Sequence, residues 1–153
     1  MDSVQKIKIL IVDDHYMVRR ALASLLQGVD DFEVVGEIGD VATMLTLCAA
    51  HQPDVVLIDL PMSSRDGVTA TGLIHDKFPL VQVIVLTILA DEAWVRDALK
   101  VGASGYLLKT GLIDDVVTAV RATYRKSKLT QEIPDRLIAK TQRHTKIGYD
   151  LTT

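Results

Sequence analysis

The sequence predicts an α/β domain built on a single parallel sheet, and three observations carry that reading. Short apolar runs rich in β-branched residues recur along the chain, among them Ile7-Lys8-Ile9-Leu10-Ile11-Val12, Val55-Val56-Leu57-Ile58 and Val83-Ile84-Val85-Leu86. Such runs read as strands buried on both faces. Segments with helical spacing of apolar residues separate them, which is the alternation of a parallel sheet. Four of the runs are closed by polar residues: Asp13 and Asp14 after the first, then Asp59, Thr87 and, after Tyr106-Leu107-Leu108, Lys109.

Taken in order, the chain reads as strand 7–12, helix 15–27, strand 33–38, helix 41–51, strand 54–59, helix 67–77, strand 81–87, helix 91–101, strand 104–108 and helix 112–125. The first helix carries Val18, Ala21, Leu22, Leu25 and Leu26 at helical spacing, and Gly28 marks its end. Asp40 is placed to cap the second helix and Pro53 to stop it. Asp66-Gly67 is a turn signal opening the third, and Pro79 closes it. Asp91 and Glu92 set negative charge in the first turn of the fourth, where the helix dipole favours it. Gly102 and Gly105 bracket the turn into the last strand, and the fifth helix is expected to bury Ile113, Val116, Val117 and Val120. Beyond residue 125, Ile133, Leu137 and Ile138 keep helical spacing, but the segment is too thin in apolar residues to form a second core. The expected organisation is one domain over residues 1–125 and a linker with a helix over 126–153.

The length of 153 residues suits one domain with a real core. No stretch approaches the roughly 20 apolar residues of a membrane helix, and the polar start with its short apolar follow-on does not look like a signal peptide. Cys48 is the only cysteine, so no internal disulfide forms, which fits a reducing, cytoplasmic setting. The net charge of −3 hides an asymmetry: residues 1–123 carry 10 Lys and Arg against 17 Asp and Glu, and residues 124–153 carry 7 against 3. The body is therefore a poor nucleic-acid binder on charge alone. The basic tail reads as a linker or solvated helix, with a docking segment as the alternative.

In a parallel sheet the strands share one direction, and ligands bind beyond their carboxyl ends. Three carboxylates, a hydroxyl and an ammonium therefore meet at one edge. Acids alone point to a cation; acids with a Lys and a Thr point to a cation and a phosphoryl group together. Asp13 and Asp14 are adjacent, so one faces the site directly while the other acts through water. Mg²⁺ suits this set, because it takes one or two carboxylates, several waters and a phosphate oxygen. Calcium would want more oxygen ligands, and zinc would want His or Cys; His15, His51, His75 and His144 show no ligand spacing. Asp59 is the candidate nucleophile, a carboxylate able to form an aspartyl-phosphate. Lys109 offers a compact positive charge to one phosphoryl oxygen and Thr87 a hydroxyl to another. There is no Gly-rich phosphate loop, so nucleotide binding is not expected.

These residues resemble the receiver domain of bacterial two-component response regulators, and within it the NarL/FixJ (LuxR-type) subfamily. The matching stretches are Ile9-Leu10-Ile11-Val12-Asp13-Asp14-His15, Pro53-Asp54-Val55-Val56-Leu57-Ile58-Asp59-Leu60, Asp66-Gly67, Val85-Leu86-Thr87 and Gly102-Ala103-Ser104-Gly105-Tyr106-Leu107-Leu108-Lys109. They cover about residues 5–125. The resemblance implies a doubly wound α/β fold of the flavodoxin-like kind, a five-stranded parallel sheet in the order 2-1-3-4-5 with five helices. It further implies that Asp59 accepts a phosphoryl group from a sensor histidine kinase. Asp14, Asp59 and the backbone carbonyl of Pro61 would bind Mg²⁺, with Asp13 acting mainly through water. Thr87 and Lys109 would hold the phosphoryl oxygens, and Tyr106 would be an aromatic switch that moves as Thr87 shifts. The implied protein is a cytoplasmic signalling switch, not an enzyme acting on outside substrates; it catalyses only its own phosphorylation and dephosphorylation. Phosphorylation would change dimerisation to a homodimer, through the face of the first and fifth helices or that of the fourth helix, fifth strand and fifth helix.

Three positions depart from the family pattern. Ser63 follows Met62 where the family usually has Pro, and Pro61 instead sits two residues after Asp59. Its ring fixes the backbone and removes an N–H, which bears on the phosphorylation rates of this loop. Lys109 precedes Thr110 where many receivers have Pro. Leu89, two residues after Thr87, offers no polar group to steer water, so slow autodephosphorylation is expected. At the other end, Leu151-Thr152-Thr153 resembles the opening of a helix-turn-helix DNA-binding domain. That implies a receiver and linker from a longer transcription regulator acting on DNA. The alternative is a single-domain or phosphorylation-independent receiver that serves as an interaction module. A phosphatase of the haloacid-dehalogenase type fits less well, because its chemistry wants Asp-x-Asp after the first strand.

Overall fold

The computed structural model describes residues 5–59, 66–87, 93–109 and 113–132. The expectations for Pro61, Met62, Ser63, Leu89, Asp91, Glu92 and Thr110, and those for the segment after residue 132 with its Leu151-Thr152-Thr153 end, lie outside the described residues. Strands and helices alternate as β1 (Ile7–Asp13), α1 (Tyr16–Gln27), β2 (Phe32–Ile38), α2 (Val41–His51), β3 (Val55–Asp59), α3 (Asp66–Lys77), β4 (Gln82–Thr87), α4 (Ala93–Lys100), β5 (Gly105–Leu108) and α5 (Ile113–Glu132). The strands pair in parallel in the order β2-β1-β3-β4-β5.

The pleat decides which side of the sheet each residue serves. Ile7, Ile9 and Ile11 of β1 share one core with Val55, Leu57, Ile84, Leu86 and Leu107, covered by Ala23 and Leu26 of α1 and Ala119 and Val120 of α5. The alternate residues Leu10, Val12, Val56, Ile58 and Val83 enter a second core with Met44 and Cys48 of α2 and Ala70 and Ile74 of α3. Val85 and Tyr106 extend that side onto Trp94, Val95 and Ala98 of α4. Because both faces are covered, the strands are apolar at successive positions, which is why they read as continuous runs.

One irregularity interrupts the ladder between β1 and β2. Ile9 pairs with Val34, but Leu10 pairs with Gly36, so Val35 is an extra residue on β2. After this bulge Glu37 pairs with Ile11 and Ile38 with Val12. Glu37 therefore shares the α1 side of the sheet, and Ile38 packs into the α2 side.

The helices follow their local signals with two corrections. Asp40 caps α2 as expected: the Thr43 N–H and hydroxyl each donate to Asp40 Oδ1 at 2.8 Å. Gln52 takes the left-handed backbone (φ 48°) immediately before Pro53. In α1, however, the apolar stripe does not all turn inward. Ala23 and Leu26 are buried and Leu22 half-buried, while Val18, Ala21 and Leu25 stay exposed, because Arg19 occupies the inner face one turn before Ala23. The fifth helix does not stop at residue 125 but continues through Glu132. No Pro or Gly interrupts residues 113–132, and Tyr124 still packs against the core. Of its four expected core residues only Val120 is fully buried; Ile113, Val116 and Val117 are half-buried against the same cluster.

Candidate functional site

Strand register sets the heart of the site. Asp13 and Asp59 close neighbouring strands and are register partners, so their carboxylates stand side by side on one face of the pleat. Both are buried, with 0% and 4% of their surface exposed. β4 ends in Thr87, also buried. β5 ends one residue before Lys109, whose N–H donates to the Thr87 carbonyl at 2.7 Å. This continuation of the ladder directs the Lys109 side chain across β4, and its Nζ lies 2.7 Å from Asp59 Oδ2.

Among the described residues, two buried carboxylates stand beside one ammonium, which leaves them short of positive charge. Burial is the main force that pushes the Asp59 carboxyl up to about 7; the hydrogen bond and the charge of Asp13 add to it, and Lys109 opposes it. Asp13 Oδ2 is fully buried without a hydrogen-bond partner. An unpartnered carboxylate oxygen facing a neighbouring carboxyl is what a hard divalent cation satisfies. The donor set therefore fits such an ion.

The acidic loop after β1 is held from several directions. Asp13 Oδ1 accepts the His15 N–H at 2.8 Å. Arg19 Nη1 donates to the Asp13 carbonyl at 2.8 Å, and its Nε donates to Glu37 Oε1 at 3.2 Å. Arg20 also pairs with Glu37. Gly39 leaves room for this guanidinium, since a Cβ there would stand 2.7 Å from Arg19 Nη1. Asp14 turns outward, its side chain 42% exposed and its Oδ1 3.1 Å from His15 Nδ1. Ligand atoms of Asp13, Asp14 and His15 all lie within 4.8 Å of one another.

Of the residues singled out from the sequence, the structure thus gathers Asp13, Asp59, Thr87 and Lys109 at the carboxyl edge of the sheet, with Asp14 at the rim. Tyr106 is buried in the cluster of Val85, Trp94 and Ala98. Pro61 lies outside the described residues. Sequence reasoning missed Arg19, Glu37 and His15. Arg19 and Glu37 carry no motif, and a bulge joins them. His15 follows Asp13 and Asp14 directly, and that adjacency is the signal that marks it.

Comparison with known proteins agrees with this architecture. The family model described as "Response regulator receiver domain" matches residues 9–121. The chain is 36% identical over 135 residues to the transcriptional regulatory protein LiaR of Bacillus subtilis (strain 168), covering 88% of this chain and 64% of that protein. It is 42% identical over 118 residues to the response regulator protein VraR of Staphylococcus epidermidis, covering 77% and 56% respectively. The chain thus spans about six tenths of the length of these curated relatives. Among solved structures, the signal receiver domain of the putative response regulator NarL from Mycobacterium tuberculosis superposes with a TM-score of 0.72 at 32% identity, over 79% of this chain and 98% of that one. Sheet order, buried acid pair and these matches agree, and the chain belongs to the response regulator receiver domain family.

Proposed function

We propose that this receiver accepts a phosphoryl group on Asp59 from a sensor histidine kinase and so acts as a two-component signalling switch. The observation that carries the reading is the in-register pair of buried carboxylates with Lys109 Nζ 2.7 Å from Asp59. An oxygen of Asp59 attacks phosphorus, and the donor's leaving group departs on the opposite side. Lys109 then exchanges its contact with the carboxylate for one with a phosphoryl oxygen, and the Thr87 hydroxyl donates to another. Asp13, Asp14 and Asp59 would hold a divalent cation such as Mg²⁺, with the backbone carbonyl of Pro61 as a further ligand. When bound, that cation supplies charge neutralisation for the transferring group.

The phosphorylated state draws Thr87 toward the phosphoryl group, and Tyr106 moves with it. That is a bistable element biased by a local charge. The outcome is a changed homodimer face that controls transcription through a DNA-binding domain outside this chain. Curated relatives named as transcriptional and response regulators, longer than this chain, support that part. In this role the protein is a cytoplasmic switch that turns over only its own phosphoryl group. No helix among the described residues is long and apolar enough to cross a membrane.

Intact mass after incubation with Mg²⁺ and acetyl phosphate tests the proposal. The expected result is a gain of one phosphoryl group, lost in Asp59→Asn and on chelation of the metal. A wild-type mass that stays unchanged, or an Asp59→Asn variant that gains the same mass, overturns it.

A further inference from the structure

We propose that His15 is a nitrogen ligand of the divalent-ion site and biases this receiver toward later first-row transition ions over Mg²⁺. The inference rests on the divalent-ion reading above and adds the class of metal. His15 Nδ1 lies 3.1 Å from Asp14 Oδ1 and 3.5 Å from Asp13 Oδ1. Neighbouring ligands on an octahedral ion with bonds of about 2.1 Å sit about 3.0 Å apart. The imidazole nitrogen thus already stands near the separation of a shared coordination shell. The second, independent observation is Asp13 Oδ2, fully buried and without a hydrogen-bond partner, on the same carboxylate.

Two features keep the imidazole in place. The His15 backbone N–H donates to Asp13 Oδ1, which fixes the turn in which the ring follows the acids. Arg19 holds the Asp13 carbonyl from the other side, so the loop is braced where the three ligand atoms meet. The ring itself is 65% exposed and packs into neither core. Its orientation toward the acids is therefore set by polar contacts, not by apolar burial.

An all-oxygen site of carboxylates, carbonyl and water suits Mg²⁺, Ca²⁺ and Mn²⁺. Replacing one oxygen with an imidazole nitrogen raises affinity along the series from Mn²⁺ to Co²⁺ and Ni²⁺ far more than for Mg²⁺. His15 would bind through Nδ1 in its neutral form, with the ring proton on Nε2.

The test uses the tag-free chain, so that His51, His75 and His144 are the only competing imidazoles. Calorimetric titration with Mg²⁺ and with Co²⁺ is run on wild type, His15→Gln and Asp13→Asn. The expected result is that His15→Gln leaves the Mg²⁺ affinity unchanged within about twofold and weakens Co²⁺ by more than about 100-fold, beyond the size that outer-shell changes alone reach. Proton NMR of the Co²⁺-loaded wild type is expected to show a far-shifted, solvent-exchangeable imidazole N–H that His15→Gln lacks. Equal losses for both ions, an unchanged Co²⁺ affinity or the absence of that resonance overturns the role of His15. If Mg²⁺ binds wild type and is lost in Asp13→Asn while the Co²⁺ preference survives His15→Gln, this inference alone fails. If Asp13→Asn leaves both ions bound, the divalent-ion reading fails with it.

Discussion

Asp59→Asn is expected to make the metal-free protein more stable at neutral and alkaline pH, although it removes the residue on which the proposed function turns. The Asp59 carboxyl is 4% exposed and is pushed up to about 7 from an ordinary 3.8, chiefly by burial and then by Asp13. In the unfolded chain it ionises near 3.8, while the folded chain holds the proton until about 7. A carboxyl displaced upward makes the fold lose stability as pH rises between those two values, with no further change above or below them. Each pH unit of displacement is worth about 1.4 kcal/mol, so ionising Asp59 in the fold costs about 4 kcal/mol at the ceiling. Asparagine has nearly the same shape, cannot ionise and can donate its amide to Asp13. Part of the gain is offset because Lys109, 26% exposed, gives up its partner to water. The net advantage is expected to be about 2–4 kcal/mol at pH 8, shrinking toward zero at pH 4. Urea unfolding of both proteins in EDTA measures it, as a midpoint shift of about 1–2 M at unchanged slope. Adding Mg²⁺ narrows the gap by stabilising the wild-type site. A variant no more stable than wild type at pH 8, or one whose advantage is the same at pH 4.5, refutes the reasoning.

The remaining predictions concern the cores and one turn. Burial pushes the Cys48 thiol up to about 11, so the native protein at pH 8 is expected to resist a disulfide reagent that labels it within seconds in urea; stoichiometric labelling of the folded chain would contradict this. Leu57→Ala, fully buried between β1 and β4 on the α1 side, is expected to cost about 2–5 kcal/mol in the same urea assay, and a loss under about 1 kcal/mol would place that core elsewhere. Gly102→Ala forces a left-handed φ of 126° and puts a Cβ 2.5 Å from His75 Cγ. It is expected to cost about 1–3 kcal/mol, and adding His75→Ala relieves only part of the clash, since the His75 Cβ position still stands 2.8 Å away, and none of the backbone strain; full recovery in the double variant would refute the backbone part.

The sheet was legible because its strands are apolar on both faces and their carboxyl ends change abruptly to polar residues. Asp13 and Asp59 could be seen to end strands, but not to be register partners, since pairing register is absent from any single run of sequence. The face of α1 misled for a related reason. Val18, Ala21 and Leu25 keep the helical period, yet the side that docks is chosen by tertiary contacts, here Arg19 reaching the Asp13 carbonyl and Glu37. The far end of α5 was missed because apolar periodicity fades after Tyr124 while helix-forming residues continue. The contact of the His15 ring with Asp14 depends on where the ring turns, which no spacing of residues encodes.

A strand has two sides and no half-step between them, so one extra residue works as a switch of phase. Were Val35 instead taken into a regular ladder opposite Leu10, Glu37 would stand opposite Val12 and point among the apolar side chains of α2, while Ile38 would move to the α1 side. The brace on the Asp13 loop would vanish without a single contact residue having been altered. Flattening that bulge with every residue kept is therefore a change to the acid loop, reached through arithmetic and not through touch.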